Sequence, residues 1–224
     1  MPDYFTHTIA AEKIYERLDG DVKRKINSKN LYLLGAQGGD VFFTYNMKLS
    51  KSNLGRTLHQ MNALEVFRKL AMGNMCYGAG FATHYALDSS VHPLIYAYEE
   101  GKRSPFVHNK FEADVGLYVS KFYRIRRTIL PRERVLECTG PIYDSVKHLE
   151  PSLTVTGVER CLKRHFSYTR YLYRSKKQTY KCEYDFSLFA GVIEEAIDFG
   201  VEAVTKFLTG DIDEETFGRQ FLQR

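Results

Sequence analysis

The chain has 224 residues, a formal net charge of +5, and 44% hydrophobic against 26% charged residues, a balance that excludes disordered and fibrous classes. Its length suits one well-filled core, so a single helical domain over residues 1–224 is expected. No apolar run approaches the roughly 18 residues of a membrane span, and MPDYFTH lacks a basic start followed by an apolar run, so a cytoplasmic protein is expected.

Cys76, Cys138, Cys161 and Cys182 show no C-x-x-C spacing, which excludes a zinc knuckle or dithiol motif and predicts reduced, mostly buried thiols. Basic residues dominate between Lys121 and Lys181, and acids dominate from Glu183 to Glu215. Such a field favours anionic partners: phosphate esters, acidic lipid surfaces or nucleic acid.

In chain order, Ile9, Ala10, Ile14 and Leu18 fall at helical spacing, with Thr6 as a candidate cap and His7 in the first turn. A short helix through Asp21 to Ile26 follows. NLYLLGAQGGDVFF then places Gly35, Gly38 and Gly39 ahead of Asp40, a tight bend that fixes a carboxylate. It lacks the Lys-Ser/Thr ending of a phosphate-cradling loop. Gly55 to Ala71 reads as one helix carrying His59. From Cys76 onward GAGFATHYAL predicts a buried helix that Pro93 ends or kinks, which would put His92 at a bend where it need not share the face of His84 and Asp88.

His108 opens a helix that runs through Tyr123. Pro141 and Pro151 bracket a short element, Val155 to Tyr180 forms a basic helix, and Asp185 to Leu208 forms an amphipathic one ending at Gly210. Asp211 with Glu214 fits a capping box for a last short helix. No alternating run suggests a strand, so the fold class is all-α, a multi-helix bundle. Within HFSYTRYLYRSKKQTYK, the favoured reading is a solvated basic face with tyrosines packed beneath it. The alternatives are a stacking surface for single-stranded nucleic acid and a contact for an acidic membrane surface.

The candidate ligands are His7, Asp40, His59, His84, Asp88, His92, His108 and Glu112. Residues four apart stand on one helix face, so His84 over Asp88 and His108 over Glu112 form pairs. Imidazole and carboxylate are the ligand types that zinc takes. Each pair alone would also serve as a surface ion pair worth a few tenths of a kcal/mol; the ordered set carries the argument.

That order, H-x-x-x-D-x-x-x-H followed by H-x-x-x-E, resembles the zinc-dependent phospholipase C family, whose helical fold is shared with the single-strand-specific zinc nucleases of fungi and plants. The matching motifs cover roughly the first half of the chain. The resemblance implies that Asp40, His59 and His84 hold one zinc ion, with Asp88 bridging to another. His92, His108 and Glu112 would hold a second ion, and His7 the ion that shares Asp88. It implies a phosphoric-ester hydrolase in which a metal-activated water attacks phosphorus, with Asp40 as the carboxylate that orients or deprotonates that water.

Two departures stand out. Secreted members of the family use a processed N-terminal amino group as a ligand of the third ion, and here no leader is visible, although Asp3 could substitute. Two ions are therefore expected, with the third site short of a ligand. Val41 stands where phosphocholine-selective members carry an aromatic, so a choline head group is not supported. The expected substrate is a phosphate ester, with phospholipid as one class. The alternatives are a nuclease or nucleotide phosphatase on the same fold, or a non-catalytic relative that keeps metal for stability or binding.

Overall fold

The computed structural model describes residues 3–45, 53–102, 107–173 and 180–221. It is 74% helical and has no strand among the described residues, which makes the fold all-α. The first helices are α1 (Tyr4–Arg17), α2 (Gly20–Lys25) and α3 (Lys29–Gly35), and a 3-10 helix follows at Gly38–Thr44. Next come α4 (Leu54–Gln60), α5 (Ala63–Leu70), α6 (Met75–Glu99) and α7 (Val107–Phe122). The chain continues with α8 (Arg132–Glu137), α9 (Thr139–Val146), α10 (Val155–Tyr173), α11 (Ser187–Thr209) and α12 (Glu214–Phe217).

Helix α6 is the axis of the bundle. Every residue from Cys76 to Ser89 is buried, as expected of a helix that is apolar all round. It packs chiefly against α11 and α3. The crossing with α3 is a backbone contact: a Cβ on Gly80 would stand 1.9 Å from the Tyr32 carbonyl oxygen, so only glycine allows this approach. Helix α1 lies against α6, α7 and α11, and α10 lies against the 3-10 helix. One continuous hydrophobic cluster joins these elements, with Phe67, Phe81, Tyr85, Phe217 and Phe221 at its aromatic centre.

Several boundaries differ from those the sequence predicts. Asp3, not Thr6, caps α1, its side chain accepting from the Thr6 backbone N–H at 2.8 Å. The stretch expected to be one helix over Gly55–Ala71 is two. The break falls where Met61 is extended and the Asn62 side chain accepts from the Glu65 N–H at 3.1 Å, an N-cap that starts α5 afresh. Asp213, rather than Asp211, caps α12 by accepting from the Thr216 N–H at 2.7 Å.

Pro93 neither ends α6 nor bends His92 away. Packing on neighbouring helices supplies most helical stability in a folded protein and here carries the helix past the missing N–H. The His92 Nδ1 also reaches the Asp88 carbonyl oxygen at 3.0 Å. On α10, Tyr168 and Tyr171 are 54% and 78% exposed, so these tyrosines are not packed beneath the basic face but stand on it with Arg160, Lys163 and Arg164. Arg174, Lys176 and Lys177 of that stretch lie outside the described residues. The four cysteines are free, three of them buried. No described helix is long and apolar enough to cross a membrane.

Candidate metal centre

Five elements deliver the candidate ligands. His7 sits in the first turn of α1, which Asp3 fixes by accepting from both the Thr6 N–H and its hydroxyl. Gln37 braces that turn against the glycine bend, its Nε2 donating to Thr8 Oγ1 at 3.3 Å. Asp40 lies in the first turn of the 3-10 helix. The chain enters that helix through Gly38, whose φ of +48° is left-handed and whose absent Cβ would fall 2.1 Å from the His84 ring. His59 comes from α4, His84, Asp88 and His92 from successive turns of α6, and His108 with Glu112 from α7.

The inner group forms around Asp88, which is fully buried. Its Oδ1 lies 3.4 Å from His7 Nε2, and its Oδ2 lies 3.3 Å from both His59 Nε2 and His84 Nε2. Asp40 faces the same imidazoles, its Oδ1 3.2 Å from His59 Nε2 and 4.0 Å from His84 Nε2, its Oδ2 3.9 Å from His7 Nε2. The His59 and His84 Nε2 atoms face one another at 3.2 Å, and the His7 and His84 rings stack at 4.4 Å.

The rim group is His92, His108 and Glu112. His108 Nε2 lies 2.8 Å from Glu112 Oε1, and His92 joins the two groups, its Nδ1 3.8 Å from Asp88 Oδ1. Here the burial changes. The side chain of His108 is 31% exposed, whereas those of the five inner residues are at most 4% exposed.

Burial opposes every charge in this cluster, and the neighbours decide which charges survive. Burial pushes His7 and His92 down to about 4 and His84 well below its ordinary value, which keeps these rings neutral with a lone pair to offer. Burial also raises Asp40, to about 7. On Asp88 burial acts upward too, but the surrounding imidazoles hold its carboxyl well below the usual range. On His59 burial acts downward and is outweighed by Asp40 and Asp88, which raise it to about 10. Burial resists ionisation of Glu112 as well, yet its carboxyl is held below the usual range with His108 among the causes.

The donor set fits divalent cations. Ligands 2.0–2.2 Å from a common tetrahedral ion stand roughly 3.3–3.6 Å apart, and the inner contacts of 3.2–4.0 Å bracket that spacing. Both His7 ring nitrogens, His84 Nδ1, Asp40 Oδ1 and both Asp88 oxygens are buried without a partner in hydrogen-bonding geometry among the described residues. Each such group costs about 1–3 kcal/mol if nothing satisfies it. No lysine or arginine pairs with Asp88 among the described residues; its charged neighbour there is His59, 3.3 Å from Oδ2.

Three sets can each hold a metal ion: His7 with Asp40 and His84, His59 with His84 and Asp88, and His92 with His108 and Glu112. The expected set of Asp40, His59 and His84 also comes together, Asp40 Oδ1 lying 3.2 and 4.0 Å from the two imidazole nitrogens and these 3.2 Å from each other. His84 belongs to both inner sets, and Asp40 groups with His7. His92, expected at a bend, lies on the continuing helix with its Nδ1 3.8 Å from Asp88 Oδ1. Asp3 serves as the cap of α1 and belongs to none of the three sets.

Sequence reasoning missed Glu99. Its Oε1 accepts from His108 Nδ1 across the α6–α7 junction, a contact that no local spacing announces. It also missed the Gly55 carbonyl, 2.7 Å from His59 Nδ1. No family model, no curated protein and no solved structure matched the chain.

Proposed function

We propose that the chain is a metal-dependent phosphoric-ester hydrolase of the zinc-dependent phospholipase C type, with His7, Asp40, His59, His84 and Asp88 holding the inner zinc and His92, His108 and Glu112 the rim ion. The observation that carries this reading is Asp88, a buried carboxylate whose two oxygens face the imidazoles of His7, His59, His84 and His92 and no lysine or arginine among the described residues. A carboxylate can bridge two ions, which an imidazole cannot. Bound together, such ions polarise a phosphoryl oxygen and lower the pKa of a water towards neutrality.

The chain's own part is positioning and proton handling. Asp40 is the catalytic carboxylate, placed to orient the attacking water and take its proton. The more exposed edge at His108 is where a phosphate ester reaches the cluster, since the inner residues are enclosed. A polyanionic substrate is the second reading. It is favoured by Tyr168 and Tyr171 standing exposed with Arg160, Lys163 and Arg164 on one face of α10.

The test is elemental analysis of the purified chain, followed by hydrolysis of bis-p-nitrophenyl phosphate with and without chelator. At least two zinc equivalents are expected, with hydrolysis lost on chelation and restored by zinc. Metal bound without hydrolysis would point to a non-catalytic relative, and absence of both would end the proposal. Comparing a diacyl phospholipid with single-stranded DNA then separates the two substrate classes.

A further inference from the structure

The inner and rim histidines are held in different ways. His59 Nδ1 lies 2.7 Å from the Gly55 carbonyl oxygen and His92 Nδ1 lies 3.0 Å from that of Asp88, so backbone orients both rings within their own helices. His7 and His84 are fixed by stacking on each other in the closed interior. The His108 ring lies roughly parallel to that of His92, with centroids 6.4 Å apart. It is the most exposed of the ligand histidines and stands in the first turn of α7. Its Nδ1 is instead met by Glu99, the last residue of α6 and nine positions earlier in the chain.

We infer that Glu99, outside the ligand set, is a positioning residue that turns His108 toward the rim ion, so that rim occupancy is governed by the α6–α7 junction and separately from the inner cluster. An imidazole that donates Nδ1–H to a carboxylate keeps its proton there and presents Nε2 as a lone pair. In His108 Nδ1 meets Glu99 and Nε2 faces Glu112, so an ion taken up between Nε2 and Glu112 would replace the proton these two atoms share, while Glu99 keeps the one on Nδ1. The carboxylate also makes the ring a stronger donor to a metal. Glu99 belongs to none of the three ligand sets, and its side chain is 26% exposed, so it acts through the ring rather than on the ion. The inference rests on the proposed metal centre and assigns the control of one of its ions.

The experiment loads the full chain with cobalt(II), reads the visible spectrum during titration, and measures zinc affinity by competition with a chromogenic chelator. Two conservative variants separate reach from charge. Glu99→Asp keeps the charge and shortens the arm by a methylene. It is expected to weaken one metal equivalent by about 10–100-fold, the usual cost of an outer partner, and to alter that equivalent's cobalt spectrum. Glu99→Gln keeps an acceptor at the same reach and is expected to fall between Glu99→Asp and the unaltered chain. The tighter equivalents should be unchanged in both.

If both variants match the unaltered chain in affinity and spectrum, the inference is overturned. The same holds if they lower melting temperature alone, which is what a mere tether between α6 and α7 would do. An unaltered chain that takes up no cobalt would overturn the proposed metal centre as well, so the two failures are distinguishable.

Discussion

The inner and rim groups contain the same residue types and differ in surroundings. Around Asp88, three imidazoles and a second carboxylate are walled in by α1, the 3-10 helix, α4 and α6. Around His108 the side chain is 31% exposed, and a glutamate from a neighbouring helix end meets its Nδ1. Enclosure makes each unpaired inner atom expensive, so a cation bound there would be part of the fold. Partial exposure makes the rim set cheaper to leave without one. The contrast predicts an ion that is structural as well as chemical inside, and an exchangeable one outside.

The most severe way to break that contrast is Asp88→Asn. Removing the shared carboxylate should abolish inner metal uptake and reduce phosphodiester hydrolysis by more than the roughly 10–100-fold that outer partners cost, read by elemental analysis and initial rates. Unchanged zinc content in that variant would contradict the assignment.

Chelation comes next. An ion present at about a thousand times its dissociation constant contributes about 4 kcal/mol, which for a chain of this size is a fall of roughly 8–16 °C in Tm on its removal. His108→Ala should retain most of that chelator-sensitive shift, whereas His84→Ala should lose it. Equal behaviour of the two would erase the distinction between the groups.

Gly38→Ala tests the wall rather than the ligands. The added methyl would meet the His84 ring, and the left-handed φ of +48° strains any side chain. A loss of about 1–3 kcal/mol is expected, together with weakened inner uptake, measured by denaturant unfolding and metal titration.

The smallest effect concerns a buried imidazole nitrogen outside the three ligand sets. His165 Nε2 is buried without a hydrogen-bond partner among the described residues, and burial lowers the ring to about 4. Its folded value lies below the usual 6.5, so between pH 6.5 and 4 the unfolded chain binds a proton that the folded chain does not. This contribution to stability is intact above pH 6.5 and is lost as pH falls towards 4. His165→Phe should flatten that fall in Tm without changing metal uptake, which marks the difference between a buried histidine and a ligand.

How far the sequence foretells all this depends on the range of the interaction. His84 with Asp88 and His108 with Glu112 are legible because four residues bring a helix back to the same face. Pro93 misleads because its local penalty is real, but α6 is supported along its length by neighbours that the local pattern does not reveal. The α4–α5 break is written in Asn62 and Glu65, a capping pair that an apolar periodicity running across both helices conceals. Glu99 is invisible locally, since it meets His108 only after the chain has left α6 and entered α7. The exposure of Tyr168 and Tyr171 likewise depends on which side of α10 the bundle covers.

Because α6 passes through Pro93 unbroken, one helix carries His84, Asp88 and His92 on successive rungs. Each rung rises about 6 Å and turns the side chain only slightly, so the interval between the inner and rim positions is a pitch of the backbone rather than a property of any loop. A single residue inserted between Ser89 and Val91 would swing His92 by about 100° around the helix, uncoupling the two positions while leaving each ligand chemically intact.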